Sequence, residues 1–143
     1  GDFMAITQAL CTSFKEELLE GTHDLDGHTL KLALYTSDAT LGASTTAYST
    51  TNESSGTGYT AGGATIANVA ITSSGTTAYV DFDDVSFTSA TITDAAGALI
   101  YNSSASNKAI AVIDFGATKS VSGGTLTVTL PSASATTALI RLS

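Results

Sequence analysis

The sequence predicts a mainly β protein: an antiparallel β-sandwich, jelly-roll-like, of about eight strands with one N-terminal α-helix. Three observations carry this. Residues 29–35 alternate, with Leu30, Leu32 and Leu34 on one face and Lys31, Ala33 and Tyr35 on the other, the period of a half-buried strand. Residues 97–130, GALIYNSSASNKAIAVIDFGATKSVSGGTLTVTL, hold apolar runs at 98–101, 109–115 and 125–130, separated by a small polar loop and a Gly-Gly turn. The rest of the chain has to complete their sheet. Helical spacing occurs near the N-terminus, and no helix-length pattern interrupts the strands after Leu30. Short strands so spaced favour a sandwich or barrel over a parallel α/β sheet.

In chain order, Ile6, Leu10, Phe14 and Leu18 recur every four residues, with Cys11 and Leu19 beside them. That is an amphipathic stripe, read as a helix over residues 6–20. Ser13 and Glu16 have capping-box spacing, and Gly21 is a stop signal. The helix either packs on the sheet edge or serves as an arm docking on a neighbour. Residues 22–27 form a turn before the alternating strand. Residues 36–63 are mostly Ser, Thr, Gly and Ala, punctuated by Leu41, Tyr48 and Tyr59. So long a stretch without a strand pattern is either a mobile surface loop or an ordered, partner-binding excursion anchored by its tyrosines. Residues 64–71 read as a strand with a bulge near Asn68. Ser73-Ser74-Gly75-Thr76 then turns a hairpin into residues 77–82. Residues 85–93, a turn at Asp94-Ala95-Ala96-Gly97, the three apolar runs and residues 138–142 complete the set. Pro131 closes the run before it, since proline cannot donate to a ladder. The run 109–115 is apolar on both parities and belongs centrally in the sandwich.

A chain of 143 residues reads as one domain and buries roughly 70% of its unfolded surface. Charged residues are 13%, against about 25% in ordinary domains. The chain has 25 Thr and 18 Ser instead. Thr suits a pleated surface, and a surface poor in Lys and Glu loses little when another protein covers it. The net charge of −8 and the scattered bases Lys15, Lys31, Lys108, Lys119 and Arg141 argue against nucleic acid as a partner. No apolar run reaches the length of a membrane span, and no signal peptide is expected. Gly1-Asp2-Phe3 reads as an expression remnant, residues 4–21 as the helix or arm, and residues 22–143 as the β domain. Cys11 is the only cysteine, so no internal disulfide can form.

Chemistry is weakly signalled. His23-Asp24-Leu25-Asp26-Gly27-His28 offers metal-ligand types but lacks the later ligands of a calcium loop, and a solvated turn needs Asp and Gly anyway. Asp81 and Asp83 share one face of an extended chain, where paired carboxylates can bind a cation or guard a strand edge. No GxSxG elbow is present. The glycines at 56, 58, 62 and 63 are not followed by the Lys-Ser/Thr of a phosphate loop. The expectation is no catalytic residue, no metal site and no cofactor.

From Lys31 onward the chain resembles small structural proteins of tailed bacteriophages. The carrying text is Lys31-Leu32-Ala33-Leu34-Tyr35-Thr36, Gly56-Thr57-Gly58-Tyr59-Thr60-Ala61-Gly62-Gly63, Phe82-Asp83-Asp84-Val85, Gly97-Ala98-Leu99-Ile100-Tyr101-Asn102, Ala111-Val112-Ile113-Asp114-Phe115-Gly116 and Gly123-Gly124-Thr125-Leu126-Thr127-Val128. The resemblance implies a virion component of the capsid exterior, made in the host cytoplasm. The expected role is that of a decoration or cement protein, whose partners are the major capsid protein and copies of itself as a dimer or trimer. Multivalent weak contacts suit such a lattice. The expected interface residues are Ile6, Leu10, Phe14 and Leu18 of the helix and Leu41, Tyr48 and Tyr59 of the excursion. A tail, neck or fibre component with a host-binding role remains an alternative, as does a carbohydrate-binding module.

Overall fold

The computed structural model describes residues 5–143, so the expectation for residues 1–3 lies outside the described residues. Its elements are β1 (Ala9–Leu10), α1 (Thr12–Leu19), β2 (Leu30–Tyr35), β3 (Gly56–Thr57), β4 (Ala64–Thr65), β5 (Ala70–Ser74), β6 (Thr77–Asp81), β7 (Val85–Asn102), β8 (Lys108–Val128) and β9 (Arg141–Leu142). The protein is mainly β and antiparallel, with one helix among the described residues, in a sandwich-like arrangement. The larger sheet runs β1-β8-β7-β2-β4, with β3 also on β7; the smaller runs β5-β6-β9.

The N-terminal helix is shorter than the spacing predicts. Ile6 bridges Leu41 in parallel, and Ala9 and Leu10 pair with Val112 and Ala111 of β8. Ile6 and Leu10 share strand parity as well as a helical stripe, so their spacing fits both. The edge of β8 takes Ala9 and Leu10 as a strand. The helix starts after Cys11, which makes no side-chain cap. The Cys11 N–H instead donates to the Ile110 carbonyl (2.9 Å) and Thr12 N–H to that of Ala43 (2.8 Å). Ser13 caps nothing; its hydroxyl is buried without a partner. At the other end Gly21, at φ +82°, donates to Leu18 O, and Thr22 N–H donates to Glu17 O. Those two bonds make a Schellman stop, with glycine at its left-handed position.

β2 is not half-buried: its leucines and also Ala33 and Tyr35 are at most 1% exposed. Its alternation separates two covered faces. Leu30, Leu32 and Leu34 lie with Ile100 and Asn102 of β7, opposite them in register. That face meets the α1 side, where the Phe14 ring packs on His23 at 5.1 Å. Ala33 and Tyr35 lie with Leu99 and Tyr101, and residues 36–63 fold over them. Val80 and Ile140 of the smaller-sheet region belong to the same buried cluster as the β2 leucines, so the two sheets share one core.

β7 and β8 are long, continuous strands where the sequence suggests two short ones each. The expected turn at Asp94–Gly97 is strand, paired across Ala95 to Lys119 and Gly97 to Asp114. Gly97 serves close approach instead of a turn. A Cβ there would stand 2.7 Å from the Ile113 carbonyl oxygen and 2.8 Å from the Ile6 side chain. The expected Gly-Gly turn is a bulge in β8, where Gly124 pairs with Ala90 and Val121 with Ile92, and Gly123 takes φ +61°. A larger bulge spends five steps of β8, Asp114 to Lys119, against two of β7. The polar turn at 103–107 forms as predicted, and a hairpin does turn at Gly75-Thr76, but its first arm is Ala70–Ser74. The expected strand 64–71 splits, Ala64–Thr65 joining the larger sheet and Ala70–Ser74 the smaller, while residues 138–142 contribute only Arg141 and Leu142 as strand.

Candidate interaction surfaces

Residues 36–63 are ordered by one acid that sequence reasoning missed. Tyr48 Oη–H donates to Glu53 Oε1 at 2.6 Å, Tyr59 Oη–H donates to Oε2, and Gly62 N–H donates to Oε2 at 2.8 Å. Tyr59 Oη in turn accepts from Leu34 N–H of β2 at 2.9 Å. Tyr101 donates to the Gly62 carbonyl at 2.6 Å and stacks on Tyr48 at 4.7 Å. Tyr35 donates to the Ser49 carbonyl at 2.6 Å. Burial first, and then the bond to Glu53, push the Tyr48 and Tyr59 hydroxyls well above the usual phenol range. Burial first, and then the nearby Glu53 charge, raise Tyr101 as well. Both Glu53 oxygens are occupied by protein donors, so the cluster acts as a clasp that pins the excursion to the sheet.

The clasp relocates part of the expected interface. Tyr59 turns inward and is 9% exposed; Tyr48 and Leu41 are half-buried, the latter against Ile6. Their side chains bind the excursion to its own sheet.

The histidine turn is a second internal network. Asn102, fully buried, donates from Nδ2 to His23 Nδ1 at 3.0 Å and to His28 Nδ1 at 2.9 Å. Its Oδ1 accepts Ser104 N–H at 3.0 Å, which fixes the amide orientation. His23 Nε2 then donates to Glu17 Oε1 at 3.0 Å, and Lys108 Nζ lies 3.8 Å from Glu17 Oε2. The amide between the imidazoles joins α1, the turn and the end of β7. The other acids do not converge. Asp83 accepts from Asn68 Nδ2 at 2.6 Å, Asp84 accepts Leu130 N–H at 2.8 Å, and Asp81 is exposed at the end of β6. Among the described residues no three His, Cys, Asp or Glu side chains cluster.

An outward apolar surface lies between α1 and β9. Leu10, Phe14, Leu18 and Leu19 face Ile140 and Leu142 across a cleft of about 310 Å³. A smaller apolar recess of about 110 Å³ continues past Leu18 and Leu25 to Ile71 and Val80. Leu19 is 88%, Leu142 60% and Ile71 51% exposed. Lys15 and Arg141 also line the cleft, two of the five basic residues of the chain, and neither forms an ion pair among the described residues. Three expected interface residues, Leu10, Phe14 and Leu18, thus meet here. Leu19, Ile140 and Leu142 were missed: Leu19 is off the four-residue stripe, and the other two come from the far end of the chain.

The chain matches no protein-family model, no curated protein and no solved structure. Among the described residues no helix is long and apolar enough to cross a membrane.

Proposed function

We propose that the protein is a structural component of a tailed-bacteriophage virion, a decoration protein that binds the capsid exterior by non-covalent contacts. Its partners in this reading are the major capsid protein and copies of itself. The supporting observation is the α1–β9 cleft, an exposed apolar surface with two cations that form no ion pair among the described residues, in a chain of net charge −8. Exposed apolar groups of this kind mark contact sites, and Lys15 and Arg141 fit a partner surface with acidic groups at its rim. The resemblance over residues 31–128 supports the assignment to a virion. The Glu53 clasp and the shared core supply the rigid body that such binding needs.

The test is co-sedimentation with capsids of the cognate particle. Leu19→Glu and Leu142→Glu change exposed side chains, so both variants are expected to keep their melting temperature and lose capsid binding. Binding unchanged in both would refute the cleft as the contact surface. A second reading, a tail, neck or fibre component, draws on the exposed stretch of β8 from Gly116 to Ser120. Binding to host cells without binding to capsids would select it.

A further inference from the structure

We infer that the free edge of β5 binds a second copy of this chain, by antiparallel β5–β5 pairing about a two-fold axis. Self-association belongs to the virion reading above, but this surface stands without that reading. β5 is the outer strand of the smaller sheet and, among the described residues, pairs only with β6. Val80 N–H donates to the Ile140 carbonyl at 3.0 Å, toward the β9 side. Ile71 stands opposite Val80. Alternation in an antiparallel ladder therefore turns the N–H and C=O of Ile71, and of Ser73 two residues on, away from β6 and into solvent.

All five residues of β5 are exposed. Natural edge strands are usually guarded by Lys, Pro, an inward charge or a covering loop. Ala70–Ser74 carries no such residue, and no charged residue stands between Glu53 and Asp81. In a chain of net charge −8, like-charge repulsion between copies is weakest at such an uncharged edge.

The strand is also self-complementary. With the axis at Thr72, Ile71 lies opposite the partner's Ser73, and Ser73 opposite the partner's Ile71. These are the residues with outward amides, so each pair exchanges both backbone bonds. Thr72 then faces the partner's Thr72, a favourable cross-strand pair. Such an axis is perpendicular to the sheet and keeps its two faces distinct. Both apolar clefts, each reached through its own Ile71, open on the same side. The dimer therefore presents a doubled adhesive surface, the arrangement that turns weak contacts into avidity.

The experiment is sedimentation velocity on the full chain across a wide concentration range, with native hydrogen exchange on the same samples. The expected species has twice the 14.4 kDa subunit mass, and the amides of Ile71 and Ser73 are protected in it and fast on dilution. Ser73→Pro removes an outward N–H that β6 does not use; Thr72→Lys sets two cations face to face across the axis. Each raises the dimer Kd by about tenfold or more. Thermal melts confirm folding, and if the proline variant fails to fold, the exposed lysine change still decides. A strict monomer, a trimer, or a dimer indifferent to both changes overturns the pairing, whatever other strand the edge accepts. A dimer that ignores capsids leaves the pairing standing and removes the capsid-decoration reading; a monomer that binds capsids does the reverse.

Discussion

Glu53→Ala removes the acceptor for three donors at once: Tyr48 Oη, Tyr59 Oη and Gly62 N–H. A hydrogen bond to a charged group contributes about 1.5–3 kcal/mol net. Tyr59 is buried, so its bond counts at about 2 kcal/mol, whereas Tyr48 is half-buried and can recover water. Allowing about 1 kcal/mol each for Tyr48 and Gly62 brings the loss to about 4 kcal/mol, a large share of the 5–15 kcal/mol of an ordinary domain. For a chain of this size that lowers the melting temperature by about 10–15 °C. Glu53→Gln keeps the shape. Its amide can turn toward Tyr48, whose hydroxyl can accept, while its oxygen keeps Tyr59 and Gly62; the expected cost is about 1–2 kcal/mol. Urea denaturation followed by circular dichroism and tyrosine fluorescence measures both. A Glu53→Ala protein within about 0.5 kcal/mol of the parent would refute the clasp.

Gly97→Ala brings a methyl against the Ile113 carbonyl, which the central ladder holds in place. The expected loss is about 1–3 kcal/mol, and an unchanged urea midpoint would contradict it. Asn102→Ala strips the shared donor from His23 and His28; it is expected to cost about 2–4 kcal/mol, while a melting temperature equal to the parent's would count against the network. Burial first, and secondarily the Glu17 carboxylate, push the Cys11 thiol up to about 11, so a thiol reagent near neutral pH is expected to label it only after unfolding. Rapid labelling of the folded chain would contradict this. The clasp tyrosines are raised in the fold by burial and Glu53. Their contribution is therefore full below the unfolded phenol value of about 10 and is lost as pH rises through the folded values. In an alkaline titration the tyrosinate band is expected to appear together with loss of circular dichroism; tyrosines ionising independently in an intact fold would argue otherwise.

The β class was legible because strands leave a period-2 trace, and the Gly75 hairpin because a turn between two β-rich runs needs such a residue. Where the trace failed, long-range pairing decided. Residues 6–10 fit a helix and a strand equally, and the β8 edge, a hundred residues away in sequence, chose between them. Gly97 looked like a turn because glycine supplies turns, yet it is required by the approach of Ile113 and Ile6. β2 appeared half-buried because alternation does not tell solvent from a second covering layer. Glu53 had a signal that could have been used: it is the only charged residue between Asp38 and Asp81, with tyrosines at 48 and 59. An isolated acid in an uncharged tract has to find donors. The cleft was half legible, through Leu10, Phe14 and Leu18; its opposite wall, Ile140 and Leu142, could be joined to them only by the fold.

The virion assignment meets its most direct test in quantitative mass spectrometry of purified particles from cells carrying the native gene. A decoration protein is expected in fixed, lattice-like proportion to the major capsid protein. Particles without the chain, or holding only a few copies confined to tails, would contradict that role.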